Sequence, residues 1–328
     1  MIPACHELLV VTPVFEDAEA SSRLFRELRA SFGEDLFIVA VDDGSVREVL
    51  DTPNLAEAGV EGVVLRLRRN VGHQRAICVG LGFVAEHMQP HQRVVVMDSD
   101  GEDLPASIPV LLGALDPTTT DVVVAQRKNR VETLHFKAFY AIYKRFFALM
   151  TGRRISFGNF MALSPKAVRR LVAMPELSIH VAGTVLASRL RIRMLLLDRG
   201  PRYAGKSKMN FLGLALHGFK ALMVFAEDVL VRVGIACCVI AVLSFLSAAL
   251  AILLKTIGFA TPGWFSIALG ILVLIFLQTG TLALMSLLLT GVVRSGAIVR
   301  PLSYRDLVEE VHATQSREPA VSPAPSHA

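Results

Sequence analysis

Two uncharged stretches near the carboxyl end limit what this chain can fold into. Val233 to Leu254 contains no Asp, Glu, Lys or Arg, and Phe265 to Val293 contains none either, with Gln278 its most polar side chain. A helix needs roughly 20 apolar residues to cross the hydrocarbon core of a bilayer, and both stretches exceed that length. A buried core helix is the alternative, but core helices of soluble proteins rarely run so far without a charge. Two membrane spans are therefore expected. They also account for a composition in which 53% of the 328 residues are hydrophobic and mean hydropathy reaches +0.51, values too apolar for one ordinary soluble domain.

The basic residues flank these spans unequally. Lys206, Lys208, Lys220 and Arg232 precede the first, Arg294, Arg300 and Arg305 follow the second, and the connection Lys255 to Trp264 holds only Lys255. By the positive-inside rule, both termini and the large N-terminal domain face the cytoplasm from an inner or cell membrane crossed twice, with Trp264 at the outer interface. The N-terminus shows no basic region, long apolar stretch and small-residue cleavage site in series, so no signal peptide is expected. Cys5, Cys78, Cys237 and Cys238 have no metal-ligand spacing and suggest no disulfide framework. The net charge of +5 is not read as nucleic-acid binding. Its basic residues gather near the spans, where anionic lipid headgroups and a phosphorylated ligand explain them better.

Upstream, short apolar runs alternate with helical patterns. Strands are expected at Glu7 to Thr12, Leu36 to Val41, Val63 to Leu67, Val94 to Met97, Asp121 to Ala125 and Met194 to Leu197. Helices are expected at about Asp17 to Ala30, His73 to Glu86, from Pro105 onward, Thr133 to Thr151, Pro165 to Ala173 and His180 to Leu190. This alternation gives an α/β fold with a mostly parallel, Rossmann-like sheet. Phe139, Ile142, Tyr143, Phe146, Phe147 and Met150 form an aromatic-rich helical stripe, read as core. Phe211 to Phe225, interrupted by His217 and Lys220, suits a helix in the membrane interface.

Four carboxylates crowd into six positions at Asp98-Ser99-Asp100-Gly101-Glu102-Asp103, directly after the fourth strand. Open α/β sheets bind ligands at the carboxyl ends of their strands. Like charges this close repel unless a cation holds them, and oxygen-only ligands suit Mg²⁺ or Mn²⁺. An acidic surface turn is the other reading. Asp103, just before Leu104-Pro105, is read as a helix cap. Asp42-Asp43-Gly44-Ser45 ends the second strand, so both acidic sites should open on one edge of the sheet. Taken alone this segment is a tight turn; paired with the acidic cluster it favours a nucleotide-diphosphate site.

These residues resemble a known family. The N-terminal 210 residues look like family 2 glycosyltransferases of the GT-A fold, and the whole chain resembles polyprenyl-phosphate glycosyltransferases, relatives of dolichol-phosphate mannose synthase with two C-terminal spans. The resemblance runs through Val11-Thr12-Pro13-Val14-Phe15-Glu16-Asp17, Asp42-Asp43-Gly44-Ser45, Asn70-Val71-Gly72 with Ala76 and Gly80, and Asp98-Ser99-Asp100-Gly101-Glu102. It continues through Arg127 and Arg130 after the fifth strand, and through Arg202, Gly205, Ser207 and Lys208 in a late basic loop. It implies Asp98, Asp100 and Glu102 as metal or diphosphate ligands, with Pro13, Phe15, Asp17, Asp42, Asp43, Asp98, Ser207 and Lys208 around the nucleotide sugar. Catalytic roles would fall to Asp100, Asn159, Arg127 and Arg202.

Two departures bear on mechanism. Glu102 stands where the family carries Gln, which adds a negative charge. Asn159 in Gly158-Asn159-Phe160-Met161 replaces an Asp often proposed as a base. A phosphate acceptor, with a second pKa near 6, is largely dianionic at neutral pH and needs no base. Asn159 would then hydrogen-bond acceptor or sugar, or simply cap a turn. His180 is read as a satisfied structural histidine.

The expected organisation is a GT-A domain over residues 1–209, an interfacial amphipathic helix over 210–231, a two-helix membrane region over 232–294 and a cytosolic, disordered tail over 295–328. The implied activity is inverting transfer of a sugar from a UDP- or GDP-sugar to a polyprenyl phosphate, with Mg²⁺ or Mn²⁺ as cofactor. The implied partners are membrane lipids and a second copy of the chain, and nucleic acid is not among them. The alternatives are a non-catalytic membrane scaffold with a relic GT-A domain, and a glycosyltransferase with another lipid or glycan acceptor.

Overall fold

The computed structural model describes residues 2–127, 134–203, 211–259, 263–294 and 303–314. They form two compact units. The first comprises Met1–Glu132, Ile155–Leu214 and Leu302–Ala328, and the second Thr133–Arg154 and Ala215–Pro301.

The first unit is an eight-stranded sheet. Its strands are β1 (Leu8–Val14), β2 (Leu36–Asp42), β3 (Glu61–Leu67), β4 (Arg93–Val96), β5 (Val122–Arg127), β6 (Met161–Leu163), β7 (Ile192–Leu197) and β8 (Val308–Ala313), in the order β7-β5-β6-β4-β1-β2-β3-β8. β1 runs parallel to both β2 and β4, β2 to β3 and β5 to β7, while β6 and β8 are antiparallel to their neighbours. The helices are α1 (Ala18–Phe32), α2 (Thr52–Glu57), α3 (His73–His87), α4 (Ile108–Gly113), α6 (Pro165–Val172), α7 (Val181–Ala187) and α11 (Tyr304–Leu307). The second unit holds α5 (Leu134–Thr151), α9 (Ala226–Thr256), α10 (Trp264–Arg294) and most of α8 (Phe211–Met223).

Period-two alternation in the strands builds a core on each face of the sheet. Leu9 and Val11 of β1 join Val39 and Val41 of β2 and Ile77, Leu81 and Val84 of α3 on one side. Leu8 and Val10 join Ile38, Leu24, Phe25 and Leu28 on the other. Each fully buried Leu, Ile or Phe contributes about 1.5–3 kcal/mol. Because β1, β2 and β4 are parallel, their carboxyl ends share one edge, and Asp42, which pairs with Val14, lies on it with the residues that follow Val96.

The second unit answers two expectations. α9 and α10 are each long and apolar enough to cross a bilayer. Within their pair, the Ser244 hydroxyl donates to the Leu272 carbonyl at 2.6 Å, and Lys255 Nζ lies 4.1 Å from the Phe265 ring centre. The aromatic stripe of α5 is only partly core. Phe147 is buried against Phe225 and the Tyr143 hydroxyl donates to the Gly218 carbonyl at 2.8 Å, but Ile142 and Phe146 are exposed. The buried part of the stripe packs within the second unit, which groups Thr133–Arg154 with Ala215–Pro301 rather than with the rest of residues 1–209.

The tail departs further from expectation. Residues 303–314 are ordered against the sheet: β8 pairs with β3, and the Arg66 guanidinium holds Glu310 at 2.8 Å. Its polar, charged sequence concealed an edge strand whose outer side faces water. His312 donates to Asp51 at 2.6 Å and to Glu310 at 3.0 Å when protonated, and the bond to Asp51, reinforced by that carboxylate's charge, raises its pKa against a smaller opposing effect of burial. A raised pKa gives stability that is complete below the ordinary value of about 6.5 and fades as pH climbs through the folded value. Protection of the Val308–Ala313 amides from hydrogen exchange, corrected for intrinsic rates, should therefore fall by up to about fivefold from pH 6 to pH 9. His312→Leu should flatten that profile, and a profile unchanged by the substitution would discard the pair as the cause.

Candidate active site

The carboxyl edge is built by loops that their own carboxylates brace. Asp42 is fully buried, and its two oxygens accept N–H bonds from Ser45 at 2.9 Å and Leu50 at 3.1 Å, which folds residues 44–50 back on themselves. Asp43 accepts from Val71 at 2.7 Å and Gly72 at 2.9 Å, tying the end of β2 to the start of α3. Burial raises the Asp43 carboxyl above its usual range despite these two bonds. Gly44, at φ 72°, lies so close to the Arg69–Asn70 peptide that a Cβ would sit 2.5 Å from Arg69 C. Only glycine fits there.

Glu16 also takes a left-handed conformation, φ 47°, which costs a non-glycine residue about 1 kcal/mol. Its carboxylate accepts N–H bonds from Val46 (2.8 Å), Arg47 (3.1 Å) and Glu48 (2.9 Å), and those from Val46 and Glu48 lead the causes that depress its pKa. The β1 end, where Phe15 and Asp17 stand, is thereby joined to the loop after β2.

The acidic cluster is paired mainly with one short segment. After β7 the chain returns over the end of β4: Gly200 N–H donates to the Glu102 carbonyl at 3.0 Å and Tyr203 N–H to the Asp100 carbonyl at 2.9 Å. Arg202 Nη2 meets Asp100 at 2.8 Å and its Nε lies 3.6 Å from Glu102, while Arg199 bonds Glu102 and lies 3.6 Å from Asp103. Burial and the charge of Asp98 raise the Asp100 carboxyl above its usual value, against the pull of Arg202, Arg199 and His73. Asp103 is not the helix cap expected of it. Its buried carboxylate accepts the Asp98 N–H at 3.0 Å, and the turn at Pro105–Ser107 has no side-chain cap.

Asp98 faces His73 at 3.2 Å. His73 also meets the Asn159 amide at 2.9 Å, Gln74 Nε2 donates to Asn159 Oδ1 at 3.3 Å, and Gln74 Oε1 accepts the Val181 N–H at 2.6 Å. Asn159 is therefore held from two sides. It lines a small, partly open cleft with Asp103, Gln126, Phe160, Asp198 and Arg199. His180 is buried and accepts the Gly183 N–H at 2.9 Å, a structural role.

The expected residues separate in this geometry. Asp98, Asp100, Asn159 and Arg202 come together; Pro13, Phe15, Asp17, Asp42 and Asp43 stand at the neighbouring strand ends. Glu102 turns to Arg199 and Arg202, and among the described residues no three His, Cys, Asp or Glu side chains stand together as a metal cage. The side chain of Arg127, with Arg130, Gly205, Lys206, Ser207 and Lys208, lies outside the described residues. Asp98 and Asp100 alone still fit Mg²⁺ or Mn²⁺, since such ions take one or two carboxylates and complete their shell with water and substrate phosphate.

Four residues that matter here escaped sequence reasoning: His73, Gln74, Arg199 and Tyr203. The usable signal was position. His73 and Gln74 open α3 at the ligand edge of the sheet, where a buried polar side chain must have a partner.

Residues 9–171 match the family described as glycosyl transferase family 2. The chain carries a family 2 glycosyltransferase domain and is a glycosyltransferase. It is 28% identical over 273 residues to undecaprenyl-phosphate 4-deoxy-4-formamido-L-arabinose transferase of Enterobacter sp. (strain 638), covering 80% of each chain. Over 137 residues it is 28% identical to dodecaprenyl-phosphate galacturonate synthase of Rhizobium johnstonii, 40% of this chain and 39% of that one. Among solved structures, glucosyl-3-phosphoglycerate synthase from Mycobacterium tuberculosis, in complex with Mn²⁺, UDP-glucose and phosphoglyceric acid, covers 68% of this chain and 80% of its own at 16% identity and a TM-score of 0.49. The mixed, mostly parallel sheet with helices on both faces is the glycosyltransferase's GT-A fold.

Gln74→Met keeps side-chain length and removes both polar contacts. It should leave the Val181 N–H unpaired and cost about 1–3 kcal/mol in urea unfolding. A loss below a few tenths of a kcal/mol would show that the network around Asn159 carries no stability.

Proposed function

We propose that the glycosyltransferase moves a sugar from a nucleoside-diphosphate sugar, UDP- or GDP-linked, to a polyprenyl phosphate at the cytosolic face of the membrane, with inversion at the anomeric carbon. The observation that carries this reading is the state of Asn159. An uncharged amide, held by Gln74 and His73, stands in the cleft beside Asp103, Asp198 and Arg199, so Asn159 itself removes no proton. Such a site suits an acceptor that arrives already ionised. The names of the relatives, undecaprenyl-phosphate and dodecaprenyl-phosphate transferases, support the same acceptor class.

On this reading Asp98 and Asp100 hold Mg²⁺ or Mn²⁺, which supplies charge to the departing diphosphate. Arg202, paired with Asp100, adds a guanidinium that bridges carboxylate and phosphate, and Arg199 keeps Glu102 neutralised. Arg127, Ser207 and Lys208 are proposed as further phosphate ligands. Asp43, with Phe15 and Asp17, faces the nucleotide. Asp42 acts on it through the loop it folds.

The two apolar helices would span the bilayer with both termini inside, as the flanking Lys and Arg favour. Gln278, exposed near the middle of α10, would find a hydrogen-bond partner in a second copy, consistent with a homo-oligomer.

Incubation with labelled UDP- and GDP-sugars should carry label into the lipid phase when polyprenyl phosphate is added. Asp100→Asn should lower that transfer by about 10²–10³-fold with Mn²⁺ present. With wild-type protein, kcat/KM for the lipid should rise through about pH 6, the second pKa of a phosphate monoester, and then level. Full activity of Asp100→Asn would discard the metal-side assignment, and transfer only to hydroxyl acceptors would discard the acceptor.

A further inference from the structure

Tyr203 ends the segment that covers the acidic loop, and it is bound on three sides. Its N–H donates to the Asp100 carbonyl at 2.9 Å. Its ring lies flat on Gly101: a Cβ built there would meet the ring carbons at 2.6 Å, and Gly101 has φ 85°. Its hydroxyl donates to Glu27 on α1, and the Arg23 guanidinium stacks 4.3 Å from the ring centre while bonding Glu27 at 3.1 Å. One side chain therefore joins α1, the acidic loop and the basic segment.

We propose that Tyr203 is a positioning residue for sugar transfer, fixing Arg202 on Asp100 so that its guanidinium stands where the diphosphate departs. This rests on the metal-dependent transfer proposed above. Arg202 is adjacent in sequence to Tyr203 and bonds the side chain of the residue whose carbonyl Tyr203 holds. An Arg side chain loses much rotamer freedom in such a pair, and a neighbour fixed on a rigid helix supplies the restraint beforehand. Arg202 and a divalent cation also compete for the same Asp100 carboxylate. The anchor therefore sets two quantities at once: how well Arg202 meets phosphate, and how readily Asp100 accepts a cation before the nucleotide arrives.

These two quantities move in opposite directions when the anchor is cut, which separates positioning from a general loss of structure. Tyr203→Ala, in the full chain in detergent, should bind Mn²⁺ about fivefold more tightly in the absence of nucleotide, by electron paramagnetic resonance titration, because the Arg202 pair is loosened. Its kcat should fall by about tenfold or more. Tyr203→Phe keeps the ring on Gly101 and loses only the Glu27 bond, so it should restore most of the kcat. Glu27→Gln, on the outer face of α1, should reproduce the Tyr203→Phe values, and these two variants carry the test where Tyr203→Ala does not fold.

Wild-type Mn²⁺ affinity and kcat in Tyr203→Ala would overturn the proposal. So would weaker Mn²⁺ binding, which marks a damaged site. The Mn²⁺ titration uses neither sugar nor lipid, so a wrong acceptor class leaves it intact; absence of Mn²⁺ binding by the wild-type protein overturns the metal site and this inference together.

Discussion

Four carboxylates within six residues at the end of β4 are the constraint around which the sheet edge is arranged. Taken out of water together they would repel strongly, so positive charge has to be brought to them. It comes from Arg199 and Arg202 on the segment after β7, and from His73 at the start of α3. β7 is separated from β4 by two strands, β5 and β6. The chain must therefore cross the edge of the sheet to deliver its arginines, and the Gly200 and Tyr203 N–H bonds fix the register of that crossing. Leu197, Asp198 and Arg199 at the start of that crossing line the cleft.

The same edge shows how carboxylates bonded to backbone N–H groups shape a ligand edge. Asp42, Asp43 and Glu16 spend their carboxylates on backbone N–H groups. These bonds shape the loops after β1 and β2 and bring them beside the acidic cluster. Buried backbone donors need acceptors, and a carboxylate is a strong one. In the sequence an enclosed aspartate and an open one look the same; burial distinguishes them here, with Asp42 and Asp43 enclosed and Asp100 open enough to meet an arginine.

What was legible in the sequence follows from which signals are local. The β-branched runs of β1 to β5, the helical patterns of α1 and α3 and the two long apolar helices all declare themselves within one contiguous stretch each. Parallel pairing of β1 with β2 and β4 follows from their alternation with helices, and it places Asp42-Asp43 and Asp98 to Asp103 on one edge as expected. β6 did not declare itself. Met161-Ala162-Leu163 is three residues long and becomes a strand only because β4 and β5 offer edges on both sides. β8 was concealed differently, since Glu309, Glu310 and His312 satisfy the solvent side and the ion pairs to Arg66 and Asp51. The non-local pairs, Asp98 with His73, Asn159 with Gln74 and Tyr203 with Glu27, span up to 176 residues and leave no spacing to read.

Asn159 ties these threads to chemistry. At the cleft a carboxylate would add a further negative charge to Asp103 and Asp198, which already line it, and to Asp98, Asp100 and Glu102 nearby, and Arg199 and Arg202 are already engaged with the acidic loop. An amide keeps the hydrogen-bonding shape without the charge: its Oδ1 accepts from Gln74, and its Nδ2 lies 2.9 Å from His73 Nε2. The loss of a base is thus consistent with the electrostatics of the edge as well as with an acceptor that needs none. Glu102 fits the same account from the other side. Its extra charge is matched by Arg199, a pairing that keeps the guanidinium on the rim of the cleft where Asn159 stands.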